Sequence, residues 1–313
     1  MKRLLLILTG PTAVGKTALS IQAAKQWNGE IISADSMQVY RYMDIGSAKV
    51  TEDEMDGIPH HLISVLQPDE PFHVVRFKEM ALKAMEEIYS RGRLPIVTGG
   101  TGFYIQALLY DIDFTENNAD TEYRRHLEAL AAERGAEFLH DMLKARDPQA
   151  AEEIHAHNVK RVIRALEFYE KTGTPISVHN KQERERESPY QFAYVVLTRD
   201  RGELYRRIDL RVDQMMGAGL LEEVKGLRDR GYTRDLVSMQ GLGYKELLSY
   251  LDGECSLSEA VRIIKRDTRH FAKRQLTWFR RERQTDWISM DGKTDEEILK
   301  ELATVMEKRG LTK

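Results

Sequence analysis

The stretch Gly10-Pro11-Thr12-Ala13-Val14-Gly15-Lys16-Thr17 decides the fold of this 313-residue chain. It matches the phosphate-binding pattern G-x-x-x-x-G-K-[ST] at every fixed position. The apolar run from Leu4 to Leu8 precedes it and a helical pattern follows it, so the loop has the strand, loop and helix context that the motif requires. A simple glycine turn at a strand end is the alternative, and the complete motif in that context disfavours it.

The residues of this phosphate loop suit a diphosphate or a triphosphate. The glycines let the backbone curl around an anion, and the positive end of the following helix dipole adds to the attraction. Lys16 supplies a point charge to the outer phosphate, and the Thr17 hydroxyl is placed to hold Mg²⁺. We therefore expect the loop to bind the phosphate groups of a substrate or cofactor.

Composition indicates an ordinary soluble protein. The chain is 42% hydrophobic and 31% charged, and its net charge is -3. It is long enough for one large domain or two smaller ones. The apolar run at the start is too short for a signal peptide or a membrane helix. Because the chain has a single cysteine, Cys255, a disulfide framework and a cysteine-based zinc site are disfavoured. We expect a cytoplasmic protein.

Predicted strands and helices alternate in the first hundred residues, which is typical of a parallel sheet covered by helices. Strands are predicted at Leu4 to Leu8, Glu30 to Ala34, Leu94 to Val97, Phe192 to Leu197 and Asp286 to Met290. Helices are predicted at Thr17 to Trp27, His73 to Arg91, Glu203 to Arg230 and Thr294 to Lys308. The fold class is therefore α/β, with a P-loop-type parallel sheet core flanked by helices.

Between residues 114 and 190 the strand signals stop. The pattern is helical from Glu122 to Tyr169, with one helix at Lys160 to Lys171, and the charged stretch from Asn180 to Tyr190 is predicted to be a loop. We interpret 114–190 as an all-helical insertion domain. Residues 1–113 and 191–313 then form one α/β core domain with a basic C-terminal helical part.

Polar residues follow two further predicted strands. In open α/β sheets ligands bind beyond the carboxyl ends of the strands, so Asp35 and the turn Gly99-Gly100-Thr101-Gly102 are expected beside the phosphate loop. Asp35 would serve the Mg²⁺ shell or accept a proton, unless it only caps the next turn. Where a P-loop hydrolase often has an Asp, the glycine turn offers the hydroxyl of Thr101, which disfavours plain ATP hydrolysis. Taken alone, the glycines also fit a tight turn.

Two arginines, Arg207 and Arg211, lie four residues apart on one face of a predicted helix. Their guanidinium groups suit phosphate oxygens. The alternative is a set of surface ion pairs within the helix, which also carries Asp209 and Asp213, and the sequence alone favours that alternative.

The basic tract from Arg262 to Arg283 carries nine basic and two acidic residues, a local charge of +7. His270, Phe271, Trp278 and Phe279 lie among them. This mixture is expected where phosphates and bases are both contacted. The alternative is a solvated amphipathic helix whose aromatic residues face the core.

Motifs along nearly the whole chain resemble, in order, those of the bacterial tRNA dimethylallyltransferase (tRNA isopentenyltransferase) family. The resemblance rests on the phosphate loop and on the segments Asp35 to Lys49, Pro59 to Leu62, Gly99 to Tyr104, Lys160 to Glu167, Arg207 to Asp213, Gly241 to Tyr244 and Lys273 to Arg280. Ser47 and Val50 stand where the family more often has Thr and Pro, which puts nothing catalytic in doubt.

The resemblance implies a prenyl transfer to tRNA. Dimethylallyl diphosphate would occupy the phosphate loop, and N6 of the adenosine 3′-adjacent to the anticodon would attack C1 of the prenyl group and release diphosphate. Asp35 would be the general base, while Lys16, Thr101, Arg211 and Mg²⁺ held by Thr17 would stabilise the leaving group. The implied diphosphate-binding residues are Gly10, Pro11, Thr12, Ala13, Val14, Gly15, Lys16, Thr17, Arg207 and Arg211.

By the same resemblance the partner is the anticodon stem-loop of tRNA, whose target base must leave its stack to reach the diphosphate. The residues implied in RNA contact are Asp35, Ser36, Met37, Gln38, Thr101, Arg124, Lys160, Arg161, Val162, Ile163, Arg164, Gln240, Gly241, Leu242, Gly243, Tyr244, Lys245, Lys273, Arg274 and Arg280. The basic tract would hold phosphates, as cationic grooves do in single-strand binding. We expect a monomer with no membrane partner.

Three other functions fit parts of the sequence. The phosphate loop alone fits a small-molecule P-loop kinase that binds ATP and produces ADP, but the glycine turn and the basic tract count against it. A prenyltransferase acting on free adenine nucleotides would label AMP as well as tRNA, and it gives the helical insertion and the basic tract no purpose. A non-enzymatic RNA-binding module leaves the phosphate loop without a role.

Overall fold

A computed structural model describes residues 2–112 and 122–312 of the chain. The contacts divide these residues into two compact units, the first made of residues 2–109 and 189–312, the second of residues 110–188. The predicted domain boundary between 113 and 114 lies outside the described residues. The other predicted boundary, between 190 and 191, would cut a strand that belongs wholly to the first unit.

The first unit is built on one six-stranded sheet. Its strands are β1 Arg3–Thr9, β2 Gly29–Ser33, β3 His60–His61, β4 Leu94–Gly99, β5 Tyr190–Thr198 and β6 Thr285–Ser289. They lie in the order β3-β2-β4-β1-β5-β6, and each neighbouring pair is parallel. Strand β1 is central, and its residues Leu5 to Leu8 are at most 1% exposed because both faces of the sheet are covered. The predicted parallel α/β core is confirmed.

The helices of the two units are numbered here in chain order. They are α1 Lys16–Gln26, α2 Glu52–Met55, α3 Val74–Ser90, α4 Gly102–Leu109, α5 Glu122–Arg134, α6 Ala136–Arg146, α7 Pro148–Glu153, α8 Val159–Thr172, α9 Ile176–Glu185, α10 Arg201–Gly217, α11 Leu220–Asp229, α12 Tyr244–Leu251, α13 Leu257–Phe279 and α14 Asp295–Lys308. A short 3₁₀ helix spans Ser238–Gln240. None of the described helices is long and apolar enough to cross a membrane.

The second unit contains helices α5 to α9 and, in its described part, no strand. Its core is formed by apolar side chains of these helices, among them Leu127, Leu139, Leu143, Val162 and Leu166, each fully buried. Fully buried apolar side chains give this unit a hydrophobic core of its own.

Three local predictions are wrong. The stretch from Asn180 is helical as far as Glu185 rather than a loop, because its Lys, Gln, Glu and Arg residues are good helix formers. The predicted helix from Glu203 to Arg230 is two helices, since Gly219 adopts the left-handed backbone conformation (φ +99°) between α10 and α11. Strand β3 was not predicted, because a two-residue strand of histidines carries no apolar signal.

Candidate active site

The loops that follow β1, β2 and β4 meet at one edge of the sheet. Strand β4 pairs with both β1 and β2, so the carboxyl ends of the three strands are neighbours. The N–H of Thr101 donates to the carbonyl oxygen of Ala34 at 3.2 Å. A Cβ on Gly99 would lie 2.3 Å from that same oxygen, so only glycine allows this approach. The structure thus places Asp35 and Thr101 on neighbouring loops, beside the phosphate loop.

The phosphate loop has a tightly curled backbone. Gly10, Ala13 and Gly15 have φ values of +151°, +63° and +115°. A Cβ on Gly10 would also lie 2.6 Å from the carbonyl oxygen of Leu197 in β5. Since α1 begins at Lys16, the first N–H groups of that helix have no intrahelical acceptor and suit an anion.

Lys16 bonds to its own loop. Its ammonium group donates to the carbonyl oxygens of Gly10 at 2.9 Å and Pro11 at 2.8 Å. Burial, and after it the positive charge of Arg211, lowers the pKa of Lys16 to about 7, while the Asp35 carboxylate acts in the opposite direction. The charges of Lys16, Arg211 and Asp35 therefore influence one another, and an anion bound among them would restore the full charge of Lys16.

Two arginines hold the other side of the loop. Arg207 Nε donates to the carbonyl oxygen of Ala13 at 3.0 Å, and Arg199 Nε donates to that of Val14 at 2.9 Å. Sequence reasoning missed Arg199, although it directly follows β5 and the strand-end rule that identified Asp35 applies to it equally. Both arginines bind carbonyl groups of the loop and so support its curled backbone.

Arg211 lies one turn after Arg207 on α10 and has no hydrogen bond or ion pair within the described part of the chain. Burial lowers its pKa, and the nearby Asp35 carboxylate opposes this shift. A half-buried guanidinium group near Lys16 and Asp35 suits the oxygens of a diphosphate.

Asp209 and Asp213 of α10 pair with α13 and not with their own helix. Asp209 binds Arg269 at 2.5 Å, and Asp213 binds Lys265 at 2.6 Å. The intrahelical ion pairs that the sequence alone favoured are therefore wrong for these residues, because α13 packs against α10 and supplies the cations.

One carboxylate oxygen of Asp35 has the capping role considered for this residue. Its Oδ1 accepts a hydrogen bond from the N–H of Met37 at 2.8 Å, which is the capping role. Its other oxygen, Oδ2, accepts no hydrogen bond from any described residue, and the side chain is half-buried. One oxygen orders the turn and the second is available for a proton or a metal ion.

Thr101 and Thr17 offer hydroxyl groups at the same edge. Thr101 precedes α4, and its hydroxyl has no hydrogen bond with a described residue. Thr17 lies in the first turn of α1 and is exposed. No group of three His, Cys, Asp or Glu residues suited to a metal ion occurs among the described residues. Any Mg²⁺ would therefore take most of its ligands from phosphate oxygens and water, as Mg²⁺ commonly does.

The other residues of the loop after β2 are largely occupied within the protein. The Gln38 amide accepts from the Ser33 hydroxyl at 3.0 Å and donates to the carbonyl oxygens of Ser47 and Ala48 at 3.4 and 3.3 Å. Ser36 is half-buried beside it. Gln38 therefore organises its loop, and an RNA contact would compete with these bonds.

Residues 240–245 divide into an exposed and a buried part. Gln240 is exposed, Gly241, Leu242 and Lys245 are half-buried, and Gly243 and Tyr244 are buried. The Tyr244 hydroxyl donates to the Glu223 carboxylate at 2.8 Å, and that carboxylate also accepts the N–H groups of residues 44–46. The Tyr244 side chain therefore anchors the loop after β2, and an RNA contact by this residue stays a prediction.

The residues of the second unit that were expected to contact RNA are partly exposed and partly buried. Lys160, Arg161 and Arg164 are exposed on α8. Val162 and Ile163 are 0% and 3% exposed, so their side chains belong to the core of this unit, and RNA contacts by these two residues stay predictions. An α-helix turns about 100° per residue, so a continuous segment cannot lie wholly on one face.

Arg124, the remaining cation of the second unit that was expected to contact RNA, binds a buried carboxylate. Arg124 Nε lies 3.0 Å from Glu167 Oε2, and Glu167 is 7% exposed. The guanidinium group therefore has a structural partner in this unit, and an RNA contact would share it with Glu167.

The basic tract, most of which lies on α13, separates into paired and unpaired cations. Four cations bind acidic residues: Arg262 with Glu259, Lys265 with Asp213, Arg266 with Asp267 and Arg269 with Asp209. The other five form no ion pair within the described residues: Lys273, Arg274, Arg280, Arg281 and Arg283. Phe279 is fully buried, whereas Phe271 is 36% exposed and lies under the Arg274 guanidinium. The amphipathic-helix interpretation thus fits the paired half, and contact of the unpaired half with RNA stays a prediction.

A surface hollow lies in the unpaired half. Its volume is about 360 Å³, and its lining consists of His270, Lys273, Arg274, Thr277, Trp278 and Arg281. Cations and an aromatic ring around one hollow are the groups that bind phosphates and stack on bases.

The curled loop, its lysine and the six-stranded parallel sheet define an α/β protein of the P-loop type. Comparisons with known sequences narrow this class. The model of the IPP transferase family matches residues 38–282, and that of the isopentenyl transferase family matches residues 3–65. The chain belongs to the IPP transferase family.

Curated relatives are similar over their full length. The chain is 61% identical over 310 residues to the tRNA dimethylallyltransferase of Lachnoclostridium phytofermentans, with 99% of each chain covered. It is 55% identical to the tRNA dimethylallyltransferase of Acetivibrio thermocellus, with 95% of each covered.

Solved structures agree with these relatives. The full-length tRNA isopentenylpyrophosphate transferase of Bacillus halodurans is 46% identical, with a TM-score of 0.75 over 99% of this chain and 98% of that one. A eukaryotic dimethylallyltransferase acting on tRNA is 29% identical, with a TM-score of 0.79 over 99% of this chain and 78% of that one.

Proposed function

We propose that this protein transfers the dimethylallyl group of dimethylallyl diphosphate to N6 of the adenosine 3′-adjacent to the anticodon in tRNA. The observation that carries the proposal is a carboxylate, Asp35, with one free oxygen, on the loop next to the phosphate loop and within the electrostatic influence of Lys16 and Arg211. A base and two cations at one phosphate loop suit a reaction that takes a proton from a nucleophile and leaves charge on a diphosphate.

The reaction breaks the bond between C1 of the prenyl group and the bridging oxygen of the diphosphate. The electron pair of that bond leaves with the diphosphate, while the lone pair of N6 forms the new bond to C1. The extra proton on N6 passes to the free Oδ2 of Asp35, since Oδ1 already accepts the N–H of Met37. Asp35 thus works as the general base while its Oδ1 keeps the hydrogen bond that caps the turn.

Charge that develops on the diphosphate is stabilised by groups already in place. The N–H groups at the start of α1 and the Lys16 ammonium bind the phosphates, Arg211 supplies a guanidinium group, and the Thr101 hydroxyl donates from the neighbouring loop. The exposed hydroxyl of Thr17 would hold Mg²⁺, which would supply positive charge against the developing charge of the diphosphate.

The unpaired half of the basic tract binds the anticodon stem-loop. Lys273, Arg274 and Arg281 contact phosphates, and the aromatic ring of Trp278 in the same hollow provides a surface for a base. Exposed Gln240 and the exposed cations of α8 supply further contacts. We expect the protein to be cytoplasmic and monomeric; light scattering in the presence and absence of RNA tests the oligomeric state.

The test of this function is transfer of label. The purified protein is incubated with Mg²⁺, dimethylallyl diphosphate labelled in the prenyl group, and unmodified tRNA, with AMP as a competing acceptor. The RNA is then digested and its nucleosides are separated. Label in a single adenosine next to the anticodon supports the proposal. Label in AMP at a comparable rate indicates a nucleotide prenyltransferase, and ADP formed in a parallel incubation with ATP indicates a kinase; either result overturns the proposal.

A further inference from the structure

Gln275 of α13 connects the phosphate loop with the glycine turn after β4. Its side-chain Oε1 accepts the N–H of Thr12 at 2.9 Å, and its Nε2 donates to the carbonyl oxygen of Gly100 at 3.0 Å. Gln275 is 6% exposed, so both bonds are protected from water. One amide thus spans the loops that follow two neighbouring strands, β1 and β4.

The glycine turn is shaped to receive this helix. A Cβ on Gly100 would lie 2.0 Å from Gln275 Nε2, and a Cβ on Gly102 would lie 2.2 Å from Cδ1 of Trp278. Gln275 and Trp278 are three residues apart and lie on one face of α13. Gly100 and Gly102 therefore have to be glycines because side chains of α13 pack against them. Gly99 has to be glycine because the backbone of Ala34 lies against it.

These contacts fix the distance between groups that act on the diphosphate. Thr101 lies between Gly100 and Gly102, while Lys16 follows the loop that contains Thr12. We infer that Gln275 is a positioning residue for diphosphate binding: it holds the two loops in register, so that Thr101, Lys16 and the N–H groups of α1 converge on one anion. A displacement of about 1 Å in such groups can cost on the order of 100-fold in rate. The role in turnover rests on the proposed function, whereas the role in anion binding does not.

The direct test compares Gln275→Ala with Gly100→Ala and with the double variant. The Kd of inorganic diphosphate in the presence of Mg²⁺ is measured by calorimetry, and kcat and KM for dimethylallyl diphosphate are measured with saturating tRNA. Each single variant should lower kcat/KM by about 10- to 100-fold and raise the Kd of diphosphate. The RNA affinity should not change, because the unpaired cations stay in place.

The double variant distinguishes a positioning role of Gln275 from a nonspecific loss of stability. Once the amide is gone, the Cβ at position 100 meets open space, so the double variant should be no worse than either single variant. Gln191→Ala is the matched control, because Gln191 Nε2 also bonds to backbone oxygens, those of Arg309 and Gly310, beyond the opposite end of β5. It should lower the melting temperature and leave diphosphate binding unchanged.

Two results would overturn the inference: additive losses in the double variant, or a Gln275→Ala protein that only loses stability, as Gln191→Ala does. If Gln275→Ala does not fold, Gly100→Ala still tests the connection, because it displaces the amide and keeps the side chain in the core. A wild-type protein that fails to transfer the prenyl group, but whose diphosphate affinity still depends on Gln275, would refute the proposed function and leave this inference standing.

Discussion

Arg207 Nε lies 3.0 Å from the carbonyl oxygen of Ala13 and donates to it, whereas Arg211, one turn farther along α10, bonds to no described residue. The two guanidinium groups therefore differ in their contacts. Arg207 bonds to the phosphate loop, and we propose that Arg211, which interacts electrostatically with Lys16 and Asp35, binds the diphosphate. The sequence could not assign these roles, because both arginines lie on the same helical face.

Substitution of the two arginines should therefore give different results. Arg211→Gln should lower kcat/KM for dimethylallyl diphosphate by about 100- to 1,000-fold, as loss of an electrostatic stabiliser does, and leave the melting temperature unchanged. Arg207→Gln should lower both activity and melting temperature, because it frees the loop carbonyl. Steady-state kinetics and thermal denaturation of both variants check this. The opposite pattern would exchange the two roles.

Binding of diphosphate should be linked to proton uptake by Lys16. Its pKa is lowered to about 7, so at pH 8 most of the free protein carries a neutral Lys16, and an anion favours the charged form. Calorimetric titration at pH 8, in buffers of different ionisation enthalpy, should detect uptake of nearly one proton, falling toward zero at pH 6. Lys16→Met is the control, since it removes the lysine and retains the proton equilibria of the ligand. Equal uptake by both proteins would contradict the assignment.

Asp35→Asn should distinguish the role of Asp35 as general base from its role as cap of the turn. Asn retains an oxygen that accepts the N–H of Met37, so the loop should keep its shape. Turnover should fall by about 100- to 10,000-fold, the usual worth of a general base, while the Kd for tRNA stays at the wild-type value. Asp35→Ala also removes the cap and should lose stability in addition. If Asp35→Asn retains wild-type kcat, the carboxylate is not the base.

The two halves of the basic tract should differ in RNA binding. Lys273→Ala with Arg274→Ala removes two unpaired cations, so the affinity for an anticodon stem-loop should fall, and the slope of log K against log salt should decrease by about 0.7 to 0.9 per lost phosphate contact. Arg262→Ala with Arg266→Ala removes the same charge from the same helix, but these cations are paired with acids. Binding assays over a salt series should show little effect of this control. Equal effects of the two double variants would mean that net charge alone matters.

Glu30 should make stability depend on pH in the acid range. Its carboxylate is 1% exposed and accepts bonds from Arg91 at 2.8 Å and His61 at 2.7 Å. Burial alone would raise its pKa, but these hydrogen bonds outweigh burial and lower the pKa to about 2. Because the folded-state pKa is depressed, the stabilisation is present above the unfolded value of about 4.5 and is lost as pH falls toward 2. It amounts to on the order of 3 kcal/mol at neutral pH.

Urea unfolding of the wild type and of Glu30→Gln between pH 7 and pH 3 tests this. The wild type should be the more stable protein at pH 7, and the difference should shrink below pH 4.5 as the carboxylate of the unfolded wild type takes up a proton. A difference that is independent of pH would show that packing, not charge, accounts for the effect.

The sequence predicted those parts of the site that depend on local order. The phosphate loop follows from its motif, and Asp35 and Thr101 follow from the rule that ligands lie beyond strand ends. Gln275 could not be found in this way, because it bonds to a residue 263 positions earlier and lies within a run of basic residues. A contact of that kind depends on how α13 packs, which no local pattern encodes.

The same limit applies to the residues expected to contact RNA. The segments that contain Val162, Ile163 and Tyr244 were identified as continuous motifs, but a helix directs only some of its residues outward. Tyr244 is needed because Glu223 holds the N–H groups of the loop after β2, and its ring fills the space that Gly46 leaves. A residue can thus belong to a functional motif for reasons of folding.

One measurement tests the proposed reaction most directly: a single turnover with labelled dimethylallyl diphosphate and an anticodon stem-loop, in which released diphosphate and prenylated adenosine are counted together. The two should appear at the same rate and in a one-to-one ratio, with the label on N6 of the adenosine next to the anticodon. Release of diphosphate without modified RNA, or modified adenosine elsewhere in the loop, would contradict the arrangement of Asp35, Lys16 and Arg211 proposed above.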